Sequence, residues 1–221
     1  LVMAALDHRR RTGQGQHIDA AQMEMGVQFL APQIIDYNAS GKIVSRNGNR
    51  SDVAAPQGAY PCAGDDQWCA IAVDTEQQWE DLRLTMGDPA WAGDDRFKSV
   101  EDRLSNHDEI DSHIGQWTMD KTAQEVMELL QSHGVPSGVV HRSSDLLQDP
   151  QLNHCNLYRY MDHPEMGNIP YTGHQFRIQG YDSGPRSPAP LLGQHNEYVL
   201  KDLLGMTDED MIEAVIAGAI A

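Results

Sequence analysis

Cysteines, aromatics and positive charge are all scarce in this chain. Of 221 residues only three are Cys, 6% are aromatic, and Lys plus Arg number 16 against 33 Asp plus Glu. Cys62, Cys69 and Cys155 cannot all pair and show no C-x-x-C spacing, which predicts reduced thiols in a cytoplasmic protein. Few aromatics leave the core to aliphatic residues and ten Met. A net charge of −17 repels polyanions and excludes non-specific binding to nucleic acid or an anionic membrane. No apolar run approaches the roughly eighteen residues of a membrane span, and no secretory leader is read at the start. An opening Met is missing too. "LVMAALDHRRR" enters in mid-pattern, which predicts a piece cut from something longer.

What is present is enough for a packed core: 40% of the residues are apolar and 22% charged. Residues 1–11 read as the end of a helix, with Arg9, Arg10 and Arg11 matching the negative end of its dipole and Gly13 stopping it. Asp19 is expected to cap a second helix, with Gln22 in the reciprocal position. Pro32 predicts a break near Leu30. Residues 42–57 have no regular period and read as a loop. Two strands follow, 58–62 and 67–73, joined by a turn at 63–66. Thr75 caps a helix to about residue 86, and further helices are expected over 105–117 and 122–132. A strand is expected at 139–141, and a short helix at 145–152 interrupted by Pro150. Two strands are then expected at 156–163 and 171–178. Residues 197–204 read as helical, and the last helix opens with Thr207 and Asp210 in a capping box.

Few motifs carry chemistry. Gly13-x-Gly15 follows a helix and precedes an extended step, the reverse of a phosphate-cradling loop, so it reads as a helix stop. None of the ten His shows a paired metal-ligand spacing, and no Ser lies in a nucleophile elbow. Cys69 sits in an apolar strand, where a thiol is packing rather than nucleophile. Asp74 is either a buried acid or, more simply, the turn into the Thr75-capped helix. The exception is Arg46-Asn47-Gly48-Asn49-Arg50, with two amides, a flexible Gly and two cations in five residues. Such a loop suits carboxylate or phosphate oxygens; the plain alternative is a surface loop.

The segments "ALDHRRRTGQGQHIDAAQMEM", "RNGNRSDVAAPQGAYPCAGDDQWCAIAV", "EQQWEDL", "HGVPSGVV", "DLLQDPQL" and "PAPLLGQHNEYVLKDLLGMTDEDM" occur in the order found in the family III CoA-transferases. The chain resembles that family, which includes formyl-CoA and crotonobetainyl-CoA transferases and α-methylacyl-CoA racemases. The resemblance implies an α/β fold: part of a large domain plus a small α+β domain, closed into a ring that interlocks with a second copy as a homodimer. Residues 1–45 would end the large domain, 46–57 form a site-covering linker loop, 58–140 form the small domain, and 141–221 return to the large domain. It implies covalent catalysis by one Asp that carries CoA as an aspartyl thioester. That Asp would lie upstream of Leu1, leaving no catalytic residue in this chain. Arg46, Asn47, Gly48, Asn49, Pro56 and Gly58 would border the substrates. No cofactor or metal is implied, coenzyme A being a substrate beside an acyl group and a carboxylic acid. Where formyl-CoA transferase has a mobile run of glycines, this chain has Ser51, Asp52, Val53 and Ala54. Residues with Cβ atoms are less free, which argues against the oxalate/formyl pair. An acyl-CoA racemase, and a subunit without catalysis, remain alternatives.

Overall fold

Apolar side chains on strands and helices of the middle segment alternate at the right periods to close one core. The structure, a computed structural model, describes residues 1–220. Strand β1, Gln57–Pro61, pairs antiparallel with β2, Trp68–Ala72, placing Tyr60 opposite Cys69 and Gly58 opposite Ile71. Cys69 and Ile71 are buried while Trp68 and Ala70 face outward, the two-residue alternation of a half-covered sheet. The short strand β3, Ser137–Val139, completes the order β1-β2-β3.

Helices cover the inner face of this sheet. In chain order, α1 is Val2–Thr12, α2 Gln22–Val27 and α3 Ala31–Ser40; α4 is Glu76–Thr85, α5 Val100–Ser105, α6 His107–Thr118 and α7 Ala123–Ser132. Helix α6 buries Ile110, Ile114 and Thr118, spaced by four, and α7 buries Ala123, Val126 and Leu130, the stripe expected of amphipathic helices. Thr118 ties α6 to the sheet by donating its hydroxyl to the Pro61 carbonyl at 2.7 Å. Trp79 of α4 meets Trp91 and Phe97 edge-on, with ring centroids 6.2 and 6.5 Å away.

The chain divides into two compact units, Leu1–Gly138 and a second from Val139 onward. At the start of the first, α1 to α3 bury no side chain. Gly13 and Gly41 end α1 and α3 in the left-handed region, at φ 76° and 73°. The expected break at Pro32 is a 3₁₀ turn, Gln28–Leu30, after which Pro32 sits in the first turn of α3, where a missing N–H costs nothing. The Asp19 cap does not form. Helix α2 starts only at Gln22, with Ala21 at its N-cap and no side-chain cap bond, so Asp19 lies too far upstream to reach the first-turn N–H groups. Helix α5, capped by Ser99, stands ahead of α6, where the sequence pattern predicts a single helix over 105–117.

In the second unit, α8 is Ser143–Leu146, α9 Pro150–His154 and α10 Asp208–Ile216, with a π-type turn at Tyr198–Leu203. Pro150 opens α9 instead of interrupting a longer helix, because Asp149 caps the Leu152 N–H at 2.7 Å. Strand β4, Tyr158–His163, pairs with β5, Gly167–Thr172. The second strand thus begins before the expected residue 171. His163 Nδ1 accepts the N–H groups of Glu165 and Met166 and Gly167 takes φ 71°, closing the turn early. Among the described residues no helix is long and apolar enough to cross a membrane.

Candidate functional site

The loop singled out by its composition is held in a definite shape. Arg50 N–H donates to the Asn47 carbonyl at 3.1 Å, and Gly48 between them takes φ 60°, the left-handed position that an Asn-Gly turn uses. Two further tethers fix the turn. Gln57 Nε2 donates to the Asn49 carbonyl at 3.0 Å. The Arg50 guanidinium crosses to α6 and donates to Asp108 and, at 2.9 Å, to Asp111 Oδ2.

Below the turn, a polar network links α6 to β1. Asp111 Oδ1 accepts the Tyr60 hydroxyl at 2.7 Å and lies 3.4 Å from His107 Nε2. That same Nε2 accepts the Gln57 backbone N–H at 3.2 Å, which requires a nitrogen without a proton. Burial, the largest influence on His107, lowers its pKa, consistent with a neutral ring. The hydrogen bonds from Arg50 hold Asp108 below its ordinary carboxylate value. Burial, then the Asp111 charge, pushes the Tyr60 phenol up, so it remains a donor.

Three concavities surround the turn. One of about 390 Å³ is lined by Asn47, Arg50, Ser51, Asp52, Leu104 and His107. A second of about 270 Å³ includes Asn49, Arg50, Gly58, Tyr60 and Asp111. A larger one of about 670 Å³ runs along residues 42–53 and includes Arg46, Asn47 and Gly48. Five of the six residues expected at the substrates, Arg46, Asn47, Gly48, Asn49 and Gly58, therefore line open space. Pro56 is fully buried behind them, and its carbonyl accepts the Val73 N–H at 2.9 Å. Gly58 has a steric reason to be Gly, since a Cβ there would come within 3.2 Å of the Tyr60 ring.

The two cations of the turn differ. Arg50 is neutralised by two carboxylates. Arg46, by contrast, has neither an ion-pair nor a hydrogen-bond partner among the described residues. Lys42 nearby is paired with Asp52 at 2.7 Å. Sequence reasoning did not find Tyr60, His107, Asp108 or Asp111. The available signal was His107 and Asp111 one turn apart on α6, His107 lying in line with the buried Ile110, Ile114 and Thr118. Asp74 is exposed and its N–H donates to Gln78 Oε1, the turn reading rather than the buried acid. Burial raises the thiol of Cys69 to about 11, so it is inert packing. No cluster of three His, Cys, Asp or Glu among the described residues is placed to hold a metal ion.

Fold and site together define an α/β protein that presents a braced, donor-rich turn with one free cation, a surface suited to a small anionic ligand. The chain belongs to CoA-transferase family III, whose model matches residues 1–196. It is 35% identical over 95% of its length to a protein of Mycobacterium tuberculosis named a probable CoA-transferase, covering 26% of that protein. It is 31% identical over 95% of its length to the succinyl-CoA–D-citramalate CoA-transferase of Chloroflexus aurantiacus, covering 52% of it. It is 30% identical along its whole length to a formyl-CoA:oxalate CoA-transferase of Rhodopseudomonas palustris, covering 56%. The fold is similar to that of a CaiB/BaiF family protein from Brucella suis, with a TM-score of 0.80 and 27% identity over 91% of this chain and 52% of that one. The chain thus spans about half the length, or less, of the relatives it matches.

Proposed function

We propose that this chain is the C-terminal part of an acyl-CoA:carboxylate CoA-transferase that works through an aspartyl-CoA thioester. The family match over residues 1–196 carries the reading. Relatives whose names pair an acyl-CoA with a carboxylic acid support it. In this reaction an Asp carboxylate, in sequence preceding Leu1, attacks the thioester carbonyl and expels CoA thiolate. The thiolate attacks the aspartyl carbonyl of the resulting anhydride, forming the aspartyl thioester and releasing the donor acid. The acceptor carboxylate then repeats the two steps in reverse. The 46–49 turn and Gly58 border the reacting groups. Arg46, the Asn47 and Asn49 amides and the backbone N–H groups of the turn hold carboxylate and anhydride oxygens as charge moves between them. Residues 1–45 and 141–221 belong to the large domain and 58–140 to the small one, in a cytoplasmic homodimer.

The reading is tested on the chain joined to its upstream sequence, by following CoA transfer from acyl-CoA donors to a panel of carboxylic acids. α-Proton exchange without CoA transfer would replace the transferase with a racemase. Within the active enzyme, Asn49→Ala is expected to lower turnover by about 2–4 kcal/mol in transition-state terms while changing stability within about 0.5 kcal/mol. Turnover and melting temperature measured on one preparation check it. A lowered melting temperature with unchanged turnover per folded enzyme would make Asn49 a brace only.

A further inference from the structure

The loop holds two arginines, and composition alone gives both the same role. The geometry separates them. Arg50 leaves the turn at its C-terminal end and reaches a helix 58 and 61 residues further along the chain, where Asp108 and Asp111 receive it. Asp108 is 90% exposed, so its pairing with Arg50 is screened by water and contributes little. Asp111 is 28% exposed and its other oxygen is held by the Tyr60 hydroxyl, so its position is fixed before Arg50 arrives. Tyr60 is 3% exposed and sits in β1 opposite Cys69, which roots the chain of contacts in the core. On the other side of the turn, Gln57 joins the Asn49 carbonyl with its side chain and His107 with its backbone N–H. The turn is thereby clamped at Asn49 and Arg50, while Arg46, without a partner among the described residues, lines the larger concavity.

We propose that Arg50 is a positioning residue, latching the Asn47–Asn49 turn to α6 through Asp111, with Asp108 an accessory, and that it does not itself receive the substrate anion. What the latched turn holds rests on the reading under Proposed function; the latch itself does not. The latch is a two-partner device, so removing either partner has the same effect and removing both adds nothing. Asn at position 111 keeps an oxygen for the Tyr60 hydroxyl while removing the charge that attracts Arg50, which isolates the latch from the core.

Backbone hydrogen exchange, read by mass spectrometry on peptides covering residues 45–57, tests it in the 221-residue chain. Arg50→Met and Asp111→Asn are each expected to speed exchange of the residue-50 amide, which donates to the Asn47 carbonyl, by about tenfold or more. The double variant should go no further, and Asp108→Asn should change it by less than about twofold. Peptides of β2 and α7 report whether the variants keep the core. Unchanged exchange in Arg50→Met would overturn the latch, as would additive effects of the two changes. In the active enzyme, Arg50→Met is expected to lower kcat, and adding Asp111→Asn should lower it no further. A raised KM for the acceptor acid, adding to that of Asp111→Asn, would instead place Arg50 on the substrate. Absence of CoA transfer from the wild-type enzyme would remove the functional reading and leave the exchange result to decide the latch.

Discussion

Arg103 is the most deeply set charge among the described residues, 1% exposed. It donates to the Ala55 carbonyl at 2.9 Å and the Phe97 carbonyl at 3.1 Å, and it forks onto both oxygens of Glu76. Its guanidinium also stacks 5.1 Å above the Trp79 ring. Arg103→Met would take this donor from three carbonyls, those of Ala55, Phe97 and Lys98, and is expected to cost about 3 kcal/mol. Arg103→Lys should cost a comparable amount, since one ammonium cannot reproduce the fork. Urea denaturation of the chain measures both. His107 supplies a pH signature. Its folded pKa is lowered, first by burial and then by Arg50, against raising influences from Asp111 and Asp108. The unfolded chain therefore takes up the proton first as pH falls. Stability from this group is complete above about pH 6.5 and declines as pH drops toward the folded value. The decline in melting temperature between pH 7.5 and 5.5 should be shallower in His107→Gln, which keeps an acceptor for the Gln57 N–H but does not titrate.

At the scale of elements, helix starts are set by local chemistry. Thr75 accepts the Gln78 N–H while Gln78 Oε1 accepts the Thr75 N–H, a complete capping box. Thr75→Ala should cost about 1 kcal/mol, read as a lower urea midpoint with an unchanged slope. Such signals lie within four residues of one another, so the starts of α4, α7 and α10 are legible in the sequence. The same rule misleads at Asp19, where α2 buries no side chain that would fix its first turn. Strand β5 begins before residue 171 because the early closure depends on a histidine side chain accepting two backbone N–H groups, which no propensity encodes. The loop of the candidate site was legible from composition. Its bracing was not, because Arg50 and its partners are 58 and 61 residues apart and only the packing of α6 on β1 brings them together. Composition likewise counted two cations where the geometry leaves one available.

At the scale of the whole molecule, apolar surface is unevenly distributed. Leu1, Met23 and Phe29 are 80%, 81% and 85% exposed, and Val27, Leu30, Ile34 and Ile35 lie open beside them in sequence. A patch of this kind on an isolated chain marks a surface built to be covered. The chain alone is expected to bind ANS and to elute from size exclusion as more than a monomer, despite a net charge of −17. A compact, ANS-silent monomer would show that these helices find cover within the chain. Among the described residues the buried apolar side chains, in contrast, all fall between Ala54 and Val135. This has a consequence for synthesis. The ribosome finishes that segment before it makes β4, β5 or α10, and domains fold as units while the chain emerges. The braced turn and its α6 partners would then be assembled on the nascent chain ahead of everything after Val139. A stalled or prematurely ended product would carry that turn already in its final shape.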